Sequence, residues 1–358
     1  MFRMCKKVSF LAALALATTI FGGEPMLSSY IESLALQGRW SVQESCLCAS
    51  APAASVAFKA VSSGITFDIE GEARYLFEID GKPSKYVTVT DRKKLKFATP
   101  KDGKPHAYRL IKVSESNPGK ICIHDIDLGK KGSFAEKAKG SKRGIEFIGD
   151  SFTVGYGVEG KNANDGTPFE KTNATKSYAF LLAEGFKADY QINAVSGRGL
   201  VRNYANIVPE WTLSSLYEYT MMGVPEQDSN AERWDFERFH PQVVVVFVGI
   251  NDFQGEPPYA DEATFRAAYV KLLDKLRALH PGVKFLLVAT KVWPNDNLGA
   301  EVERIYKDQV SAGKTDLEYK FVYTENSALH GHPSENSQKE LANTLRPLVA
   351  RLGGWLSR

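Results

Sequence analysis

The chain has 358 residues, which is long for one domain and comfortable for two. Hydrophobic residues make up 43% of it and charged residues 24%, the composition of an ordinary globular protein. Three basic residues and no acids lie in the first 23 positions, so the rest of the chain balances 42 basic against 42 acidic residues. A chain with so little net charge gives no electrostatic reason to expect a nucleic acid as a partner.

The first 23 residues have the order of an export signal. A basic start at 1–7 precedes an apolar run at 8–21, and two glycines follow. That run has the length of a secretory h-region and is too short to span a bilayer. We therefore expect residues 1–23 to be a signal peptide and the protein to be secreted or periplasmic. The cleavage site stays open, and a buried N-terminal helix is the less favoured alternative.

Three cysteines remain after the predicted signal, namely Cys46, Cys48 and Cys122. An odd count in an exported protein allows one bridge and one free thiol, or no bridge. Cys46 and Cys48 face the same way if they share a strand, so either could meet Cys122. A metal site is disfavoured because no Cys or His cluster accompanies the pair at 46 and 48.

Short alternating runs fill the region from about residue 38 to residue 134. Strands at roughly ten-residue spacing, separated by turn residues such as those at 80–83 and 102–105, predict an all-β sandwich. We place this domain at 24–135 and a linker at 136–143, within a basic, Gly-rich stretch at 129–143. The expected strands are 55–60, 64–69, 74–79, 86–90, 107–113 and 120–126.

From Gly144 onward the pattern changes to alternating strands and helices. Near-continuous apolar strands with intervening helices predict an α/β domain at 144–358 whose parallel sheet is covered on both faces. Ligands of such sheets bind beyond the carboxyl ends of the strands. Pro347 should kink or divide the last helix. The expected strands are 144–148, 190–194, 243–248, 284–289 and 320–323, and the expected helices are 177–185, 261–280 and 335–352.

Four short motifs occur in order in this second half, and the first and third each follow an apolar strand. Together they supply a nucleophile, oxyanion donors and a base, the parts that acyl transfer requires. The first motif alone would be weak evidence, because Gly, Asp and Ser are common in turns. The motifs are Gly149-Asp150-Ser151-Phe152, Ser196-Gly197-Arg198-Gly199, Gly249-Ile250-Asn251-Asp252 and His332-Pro333.

Ser151 is the expected nucleophile, since it opens a helical turn where backbone N–H groups favour an oxyanion. Gly197 lets the backbone approach a ligand and point its N–H at developing negative charge. The side-chain amide of Asn251 is a suitable third donor. A capping Ser, a turn Gly and an Asx-turn Asn are the simpler alternatives, which the four motifs together disfavour. Asp252 is expected to be structural.

His332 is the expected base. Of the six histidines, only His330 and His332 lie in a loop between the last strand and the last helix. A base within reach of Ser151 is necessary because a serine hydroxyl is a poor nucleophile unaided. A metal bound by His330 and His332 is disfavoured, since no carboxylate partner is evident nearby.

A carboxylate would normally orient the base, but none stands at 327–330. The nearest acids are Glu325 and Glu335. A backbone carbonyl could hold the other ring N–H in their place. We therefore expect a dyad of Ser151 and His332.

These motifs resemble those of the SGNH (GDSL-type) hydrolases, whose four named residues correspond here to Ser151, Gly197, Asn251 and His332. Longer stretches at 145–157, 194–204, 241–253 and 332–334, with the β-domain stretch at 75–81, resemble carbohydrate esterase family 2. The resemblance implies a flavodoxin-like three-layer catalytic domain preceded by a jelly-roll sandwich. Leu329 departs from the usual pattern, which has Asp three residues before the base, although the family includes members without that acid.

The same resemblance implies an O-acetyl esterase that acts on plant cell-wall polysaccharides, chiefly acetylated xylan and glucomannan, with no metal or organic cofactor. A lipolytic or thioester-cleaving relative and a non-catalytic carbohydrate-binding protein stay open as alternatives. Trp293 is a candidate sugar contact, because loops line such sites and aromatic faces suit sugar rings. A packed loop aromatic is the alternative there. Trp211 and Tyr217 are weaker candidates.

Overall fold

The computed structural model describes residues 27–43, 45–115, 119–137, 140–225, 228 and 230–355. The predicted signal peptide at 1–23 lies outside the described residues. The strands are β1 (Ala35–Gln37), β2 (Ser41–Val42), β3 (Leu47–Ala49), β4 (Ser55–Val61), β5 (Ile65–Glu70), β6 (Ala73–Ile79), β7 (Lys82–Val89), β8 (Lys93–Phe97), β9 (His106–Lys112), β10 (Ile121–Asp127), β11 (Ser133–Phe134), β12 (Gly144–Gly149), β13 (Asp189–Ala194), β14 (Val243–Phe247), β15 (Lys284–Thr290) and β16 (Leu317–Val322). The α-helices are α1 (Ser151–Val154), α2 (Pro168–Lys171), α3 (Tyr178–Phe186), α4 (Leu213–Leu216), α5 (Ile250–Phe253), α6 (Glu262–Leu279), α7 (Leu298–Ser311) and α8 (Glu335–Leu352).

Two antiparallel sheets form the N-terminal half. One has the order β1-β4-β9-β6-β7, with β11 paired to β4, and the other has the order β2-β3-β10-β5-β8. Aromatic rings fill the space between them: Phe77 of the first sheet stacks on Phe97 of the second, with ring centroids 4.1 Å apart. Phe67 meets both rings edge-on. The predicted β-sandwich is confirmed.

Part of the Gly-rich stretch at 129–143 belongs to the sandwich. Strand β11 pairs with β4, and the Ala135 N–H donates to the Lys59 carbonyl at 2.8 Å. These backbone bonds attach residues 133–135 to the first sheet. These residues precede the predicted linker at 136–143 and lie in the part of the stretch that was assigned to the sandwich domain.

The second half is a parallel sheet with the order β13-β12-β14-β15-β16. Its central strand β14 is buried throughout, as its run of valines requires. Helices α3 and α8 pack together, as do α6 and α7, and both α7 and α8 contact β15 and β16. This is the predicted α/β fold. Helix α8 is not divided at Pro347, and no helix in the described part of the chain is long and apolar enough to cross a bilayer.

A buried arginine joins the two halves. Arg39, 1% exposed, follows β1 and enters the half of the molecule that contains the parallel sheet. Its Nε donates to Gln191 at 3.1 Å and its Nη1 to the Tyr217 carbonyl at 2.6 Å. Its Nη2 lies 3.5 Å from the Glu146 carboxylate, which also accepts the Tyr217 hydroxyl at 2.7 Å. The charge is thus paired and hydrogen-bonded, as burial demands.

A disulfide joins Cys48 of β3 to Cys122 of β10, which face each other in the strand register. Cys46 is free and buried, with its Sγ 3.5 Å from the Cys48 Sγ. The pairing that the sequence left open is thereby assigned. Among the described residues, these cysteines form the one cluster of three potential metal ligands, and the bridge already occupies two of them.

Candidate active site

The turn from β12 into α1 presents Ser151. Asp150 caps the helix, its Oδ1 accepting the Phe152 N–H at 3.2 Å. Gly149 is required before it, because a Cβ there would lie 2.7 Å from the Phe247 carbonyl of β14. Ser151 is 6% exposed and opens onto a cavity at the carboxyl edge of the sheet.

This cavity has a volume of about 910 Å³ and is walled by the loops that follow the parallel strands. Its position is the one expected for a ligand site of an open α/β sheet. The predicted nucleophile, base, oxyanion donors and first candidate sugar contact all border it, namely Ser151, His332, Gly197, Asn251 and Trp293.

His332 lies between Ser151 and a backbone carbonyl. Its Nε2 is 2.9 Å from the Ser151 Oγ, and its Nδ1 is 3.1 Å from the Leu329 carbonyl oxygen. A carbonyl only accepts, so Nδ1 carries the proton in the neutral ring and donates it to Leu329. The Nε2 lone pair is left to accept the serine hydroxyl proton, which is the tautomer a general base needs.

Aromatic rings enclose His332. The Phe152 ring meets it edge-on at a centroid distance of 5.7 Å, and the Tyr156 ring lies 4.5 Å from it. Burial lowers the pKa of His332 to about 4, against the opposing effect of the hydrogen bond to Leu329. The imidazole is therefore neutral at neutral pH.

Neither of the nearest acids contacts His332. Glu335 pairs with Lys176 at 2.8 Å and with Lys339 at 2.9 Å, and these ammonium groups lower the pKa of its carboxyl. The contact that Glu325 makes in this region comes from its backbone: its carbonyl accepts a hydrogen bond from the Ser337 hydroxyl at 2.7 Å. The His332 ring makes its hydrogen bonds to the Ser151 hydroxyl and to backbone carbonyl groups of its own loop, of which Leu329 is 3.1 Å away.

Three neighbouring strands supply the groups suited to an oxyanion. Ser151 follows β12, Gly197 follows β13 and Asn251 follows β14. Gly197 has a φ of +77°, and open space lies where a Cβ would stand. The Asn251 Nδ2 donates to the Arg198 carbonyl at 3.0 Å, which fixes the orientation of the amide beside the cavity. All three residues border the cavity, so the donors predicted from the sequence lie around one space.

Asp252 holds the loop that carries Gly197. Its carboxylate accepts the N–H groups of Leu200 at 2.7 Å, Val201 at 2.8 Å and Arg202 at 3.0 Å. Burial raises the pKa of Asp252 to about 6, while these three donors oppose the shift. The geometry is that of the structural residue expected from the sequence.

Exposed aromatic side chains surround the cavity mouth. Trp293 is 78% exposed, so it is not the packed loop aromatic that the sequence left as the alternative. Tyr204 and Tyr323 also border the cavity and were missed; residue 323 had been counted as a strand residue. Tyr217 is buried beside Arg39 and Trp211 packs on Tyr219, so neither of these weaker candidates reaches the cavity.

The sequence also missed a carboxylate near the site. Glu115, which follows β9 of the sandwich, accepts a hydrogen bond from the Ser196 hydroxyl at the cavity wall. Tyr156 and His330 border the cavity too, and the Tyr156 hydroxyl lies 2.9 Å from the His330 Nδ1. The sequence pointed to Tyr156 only through its place in the loop that follows Ser151, five residues after the predicted nucleophile.

Comparison with known proteins identifies the family of this chain. Residues 147–339 match the GDSL-like lipase/acylhydrolase family. An acetylxylan esterase/glucomannan deacetylase of Cellvibrio japonicus is 35% identical over 253 residues, which are 67% of this chain and 68% of that protein. The cellulase/esterase CelE of Acetivibrio thermocellus is 28% identical over 83% of this chain, which spans 36% of its length. A family two carbohydrate esterase from Clostridium thermocellum, solved in complex with cellohexaose, superposes with a TM-score of 0.81 at 27% identity, covering 90% of this chain and 100% of that one.

Proposed function

The chain belongs to the GDSL-like lipase/acylhydrolase family and is a carbohydrate esterase, and from this premise we propose that it removes acetyl groups from xylan and glucomannan. The observation that carries the proposal is the 2.9 Å contact between the His332 Nε2 and the Ser151 Oγ. It lies in a cavity whose mouth carries exposed aromatic rings. The names of the similar esterases support the same substrates.

In the acylation step, the Ser151 Oγ attacks the acetyl carbonyl while the His332 Nε2 takes the hydroxyl proton. Negative charge develops on the carbonyl oxygen. The N–H groups of Ser151 and Gly197 and the Asn251 amide stabilise that charge. His332 then returns the proton to the sugar oxygen, which leaves as a free hydroxyl.

In the deacylation step, water takes the place of the sugar. His332 removes a proton from the water, whose oxygen attacks the acetyl-serine carbonyl, and the same three donors stabilise the second oxyanion. As this intermediate collapses, the Nε2 of His332 returns its proton to the Ser151 Oγ, the bond between that oxygen and the acetyl carbon breaks, and acetic acid leaves. The acid then loses its proton to solvent and becomes acetate.

Trp293 is the residue that we assign to sugar binding. Its ring is 78% exposed and lies on the same cavity as the dyad. A ring face of this kind suits the apolar C–H face of a sugar, and aromatic contacts bury much area with little loss of side-chain entropy. Replacing Trp293 with Ala should therefore raise KM for a polymer more than KM for a small acetyl ester.

Time-resolved NMR of acetylated xylan and acetylated glucomannan with the purified protein tests the proposal. We expect loss of acetyl resonances with equimolar release of acetate, and no release by a folded Ser151→Ala protein. Turnover confined to a long-chain ester or an acyl thioester would assign a lipolytic esterase or a thioesterase instead. Retention on the polymer without acetate release would assign a carbohydrate-binding protein.

We also propose that the protein is exported, with residues 1–23 as the signal. The disulfide between Cys48 and Cys122 supports export, because such bridges persist in oxidising compartments. N-terminal sequencing of the protein from the culture medium or periplasm should find a new terminus near residue 23. An intact Met1 on cytoplasmic protein would contradict it.

A further inference from the structure

A carboxylate of the β-sandwich reaches the active site of the catalytic half. Glu115 follows β9 and accepts a hydrogen bond from the hydroxyl of Ser196, which lies 81 residues further along the chain. Ser196 borders the cavity and directly precedes Gly197. We propose that Glu115 is a positioning residue that holds Ser196 and thereby fixes the Gly197 N–H toward the oxyanion. The inference rests on the proposed function, in which Gly197 is an oxyanion donor.

The loop at Gly197 needs such an anchor. Gly197 has a φ of +77°, and beyond its two chain neighbours no heavy atom of the described residues lies within 4 Å of where its Cβ would stand. Glycine without packing neighbours can rotate its peptide groups at little energetic cost. Its carbonyl accepts the Tyr204 N–H at 2.9 Å, which fixes the peptide that follows Gly197. The peptide that precedes it, which carries the Gly197 N–H, is restrained through the side chain of Ser196.

Several hydrogen bonds hold the backbone that carries Glu115. Lys112, the last residue of β9, is 1% exposed, and its ammonium donates to the carbonyls of Ser114, at 3.1 Å, and Glu115. Val113 lies between Lys112 and Ser114. Its N–H donates to the Arg74 carbonyl and its carbonyl accepts the Ala174 N–H, both at 2.8 Å. This segment is thus joined to a neighbouring strand and to the catalytic half. A carboxylate on such a support can fix a loop rather than follow it.

Glu115 could act through its charge or through its acceptor oxygen, and one substitution separates the two. The carboxylate is near enough to Tyr156 to add to the effect of burial in raising the pKa of that phenol. The Tyr156 ring in turn lies against His332. A Gln at position 115 keeps an oxygen that accepts from Ser196 and removes the charge. If Glu115→Gln remains active and Glu115→Ala does not, Glu115 acts through its hydrogen bond with Ser196 and not through its charge.

The test compares Glu115→Ala, Ser196→Ala, the double variant and Glu115→Gln. Glu184→Gln is the matched control, because the Glu184 carboxylate also accepts a hydrogen bond from the other half, here from Arg109 of the sandwich at 2.7 Å, but lies away from the cavity. One readout is kcat and KM on 4-nitrophenyl acetate. The other is the rate of inactivation by an organophosphate ester, which needs the same oxyanion donors and no sugar.

We expect both Ala variants to lower kcat about tenfold, less than the ~10²–10³-fold lost with a whole oxyanion donor, and to leave KM within about twofold. Inactivation should slow in parallel. The kcat of the double variant should be no lower than that of the more impaired single variant, because both substitutions break the same hydrogen bond. Glu115→Gln and Glu184→Gln should stay within about threefold of the wild type.

Independent effects that multiply in the double variant would overturn the inference, as would a change in KM alone or a Gln variant as impaired as the Ala variant. Thermal unfolding verifies each fold; if Glu115→Ala does not fold, Ser196→Ala and Glu115→Gln still decide the matter. A wild type that cleaves the small ester but releases no acetate from polysaccharide refutes the substrate proposal and leaves this inference standing. A wild type inert to both small reagents refutes both.

Discussion

The carbonyl of Leu329 lies where a catalytic carboxylate would support the base. Like a carboxylate, it accepts the Nδ1–H of His332 and so selects the tautomer and the orientation of the ring. Unlike a carboxylate, it brings no full negative charge to stabilise the imidazolium that forms when His332 takes a proton. The Leu329 carbonyl therefore supports His332 by orienting the ring more than by stabilising its positive charge.

Glu325→Gln and Glu335→Gln should each retain most of the activity, because neither carboxylate contacts His332. Replacing a true triad acid by its amide would cost about 10⁴-fold in kcat. Leu329→Met should retain activity too, since the backbone carbonyl remains and a volume-conserving swap in the core is well tolerated. The measurement is kcat/KM on a small acetyl ester, with circular dichroism as the folding control. A collapse of several orders of magnitude in either Gln variant would reveal a displaced triad acid.

On the acid side of the pH profile, kcat/KM should fall only at an unusually low pH. Burial lowers the pKa of His332 to about 4, so the active neutral ring is lost only as pH falls through about 4. An ordinary histidine would lose it near pH 6.5. We therefore expect kcat/KM to rise with pH around 4 and to stay level to neutrality, measured over short assays in which the protein remains folded. A limb near pH 6.5 would mean that the ring is well solvated or paired with a negative charge.

Asn251→Ala should lower kcat by about 10²–10³-fold with little change in KM, because an oxyanion donor acts mainly on the transition state. Steady-state kinetics on the small ester measures both constants. The neighbouring Asp252 is unsuitable as a comparison, since its three backbone hydrogen bonds hold the Gly197 loop. If KM alone rose, Asn251 would be a substrate-binding residue.

At the scale of elements, the disulfide links two strands across 74 residues of chain. Removing a bridge that closes so long a loop should cost about 2–5 kcal/mol in the free energy of unfolding, largely by freeing the unfolded chain. We predict this loss for Cys122→Ser, measured by urea unfolding. Cys46→Ser is the matched control, a buried cysteine outside the bridge, and it should cost clearly less. Equal losses would show that packing around the sulfurs, rather than the cross-link, supplies the stability.

The elements predictable from the sequence are those with a strong apolar pattern. Strands β12 and β14 and helices α6 and α8 fall within a residue or two of their expected positions, because a continuous apolar run marks each strand and a helical period marks each helix. The short strands β1, β2 and β11 offer two or three residues and no period. Strand β8 hides its alternation behind lysines, and only Leu95 and Phe97 face the core. Helix α7 was missed, although its apolar residues share one face.

Some residues of the candidate site were predictable from the sequence, and others were not. Ser151, Gly197, Asn251 and His332 follow strand ends within motifs, so sequence order was enough to predict that they meet. The support for His332 needed coordinates, because every residue of the loop offers a carbonyl and only the turn geometry selects Leu329. Glu115 was out of reach for another reason: it belongs to the sandwich, and nothing local in the sequence connects it to Ser196.

At the scale of the whole molecule, the two halves are joined by charged groups that they bury together. Removing one partner of a buried ion pair typically costs about 3–5 kcal/mol, because the other charge is left unpaired. Arg39→Met should therefore lower the free energy of unfolding by about that amount, measured by urea denaturation. Lys307→Met, which breaks the exposed pair with Glu303, is the control and should cost less than about 1 kcal/mol. Similar losses in both variants would show that Glu146 is satisfied without Arg39.

The carbonyl behind His332 also bears on how this active site tolerates genetic change. A triad acid is encoded by one codon, and a single base change can delete it. A peptide carbonyl is present whatever residue stands at position 329, so no point mutation there can remove the acceptor itself. What selection must preserve is the path of the chain, and the surroundings of Leu329 show where that constraint falls: a Cβ at Gly157 or Gly160 would lie within 3 Å of Leu329 atoms. In this chain the position of the carbonyl that supports the base therefore depends on two glycines, whose lack of a side chain leaves room for Leu329.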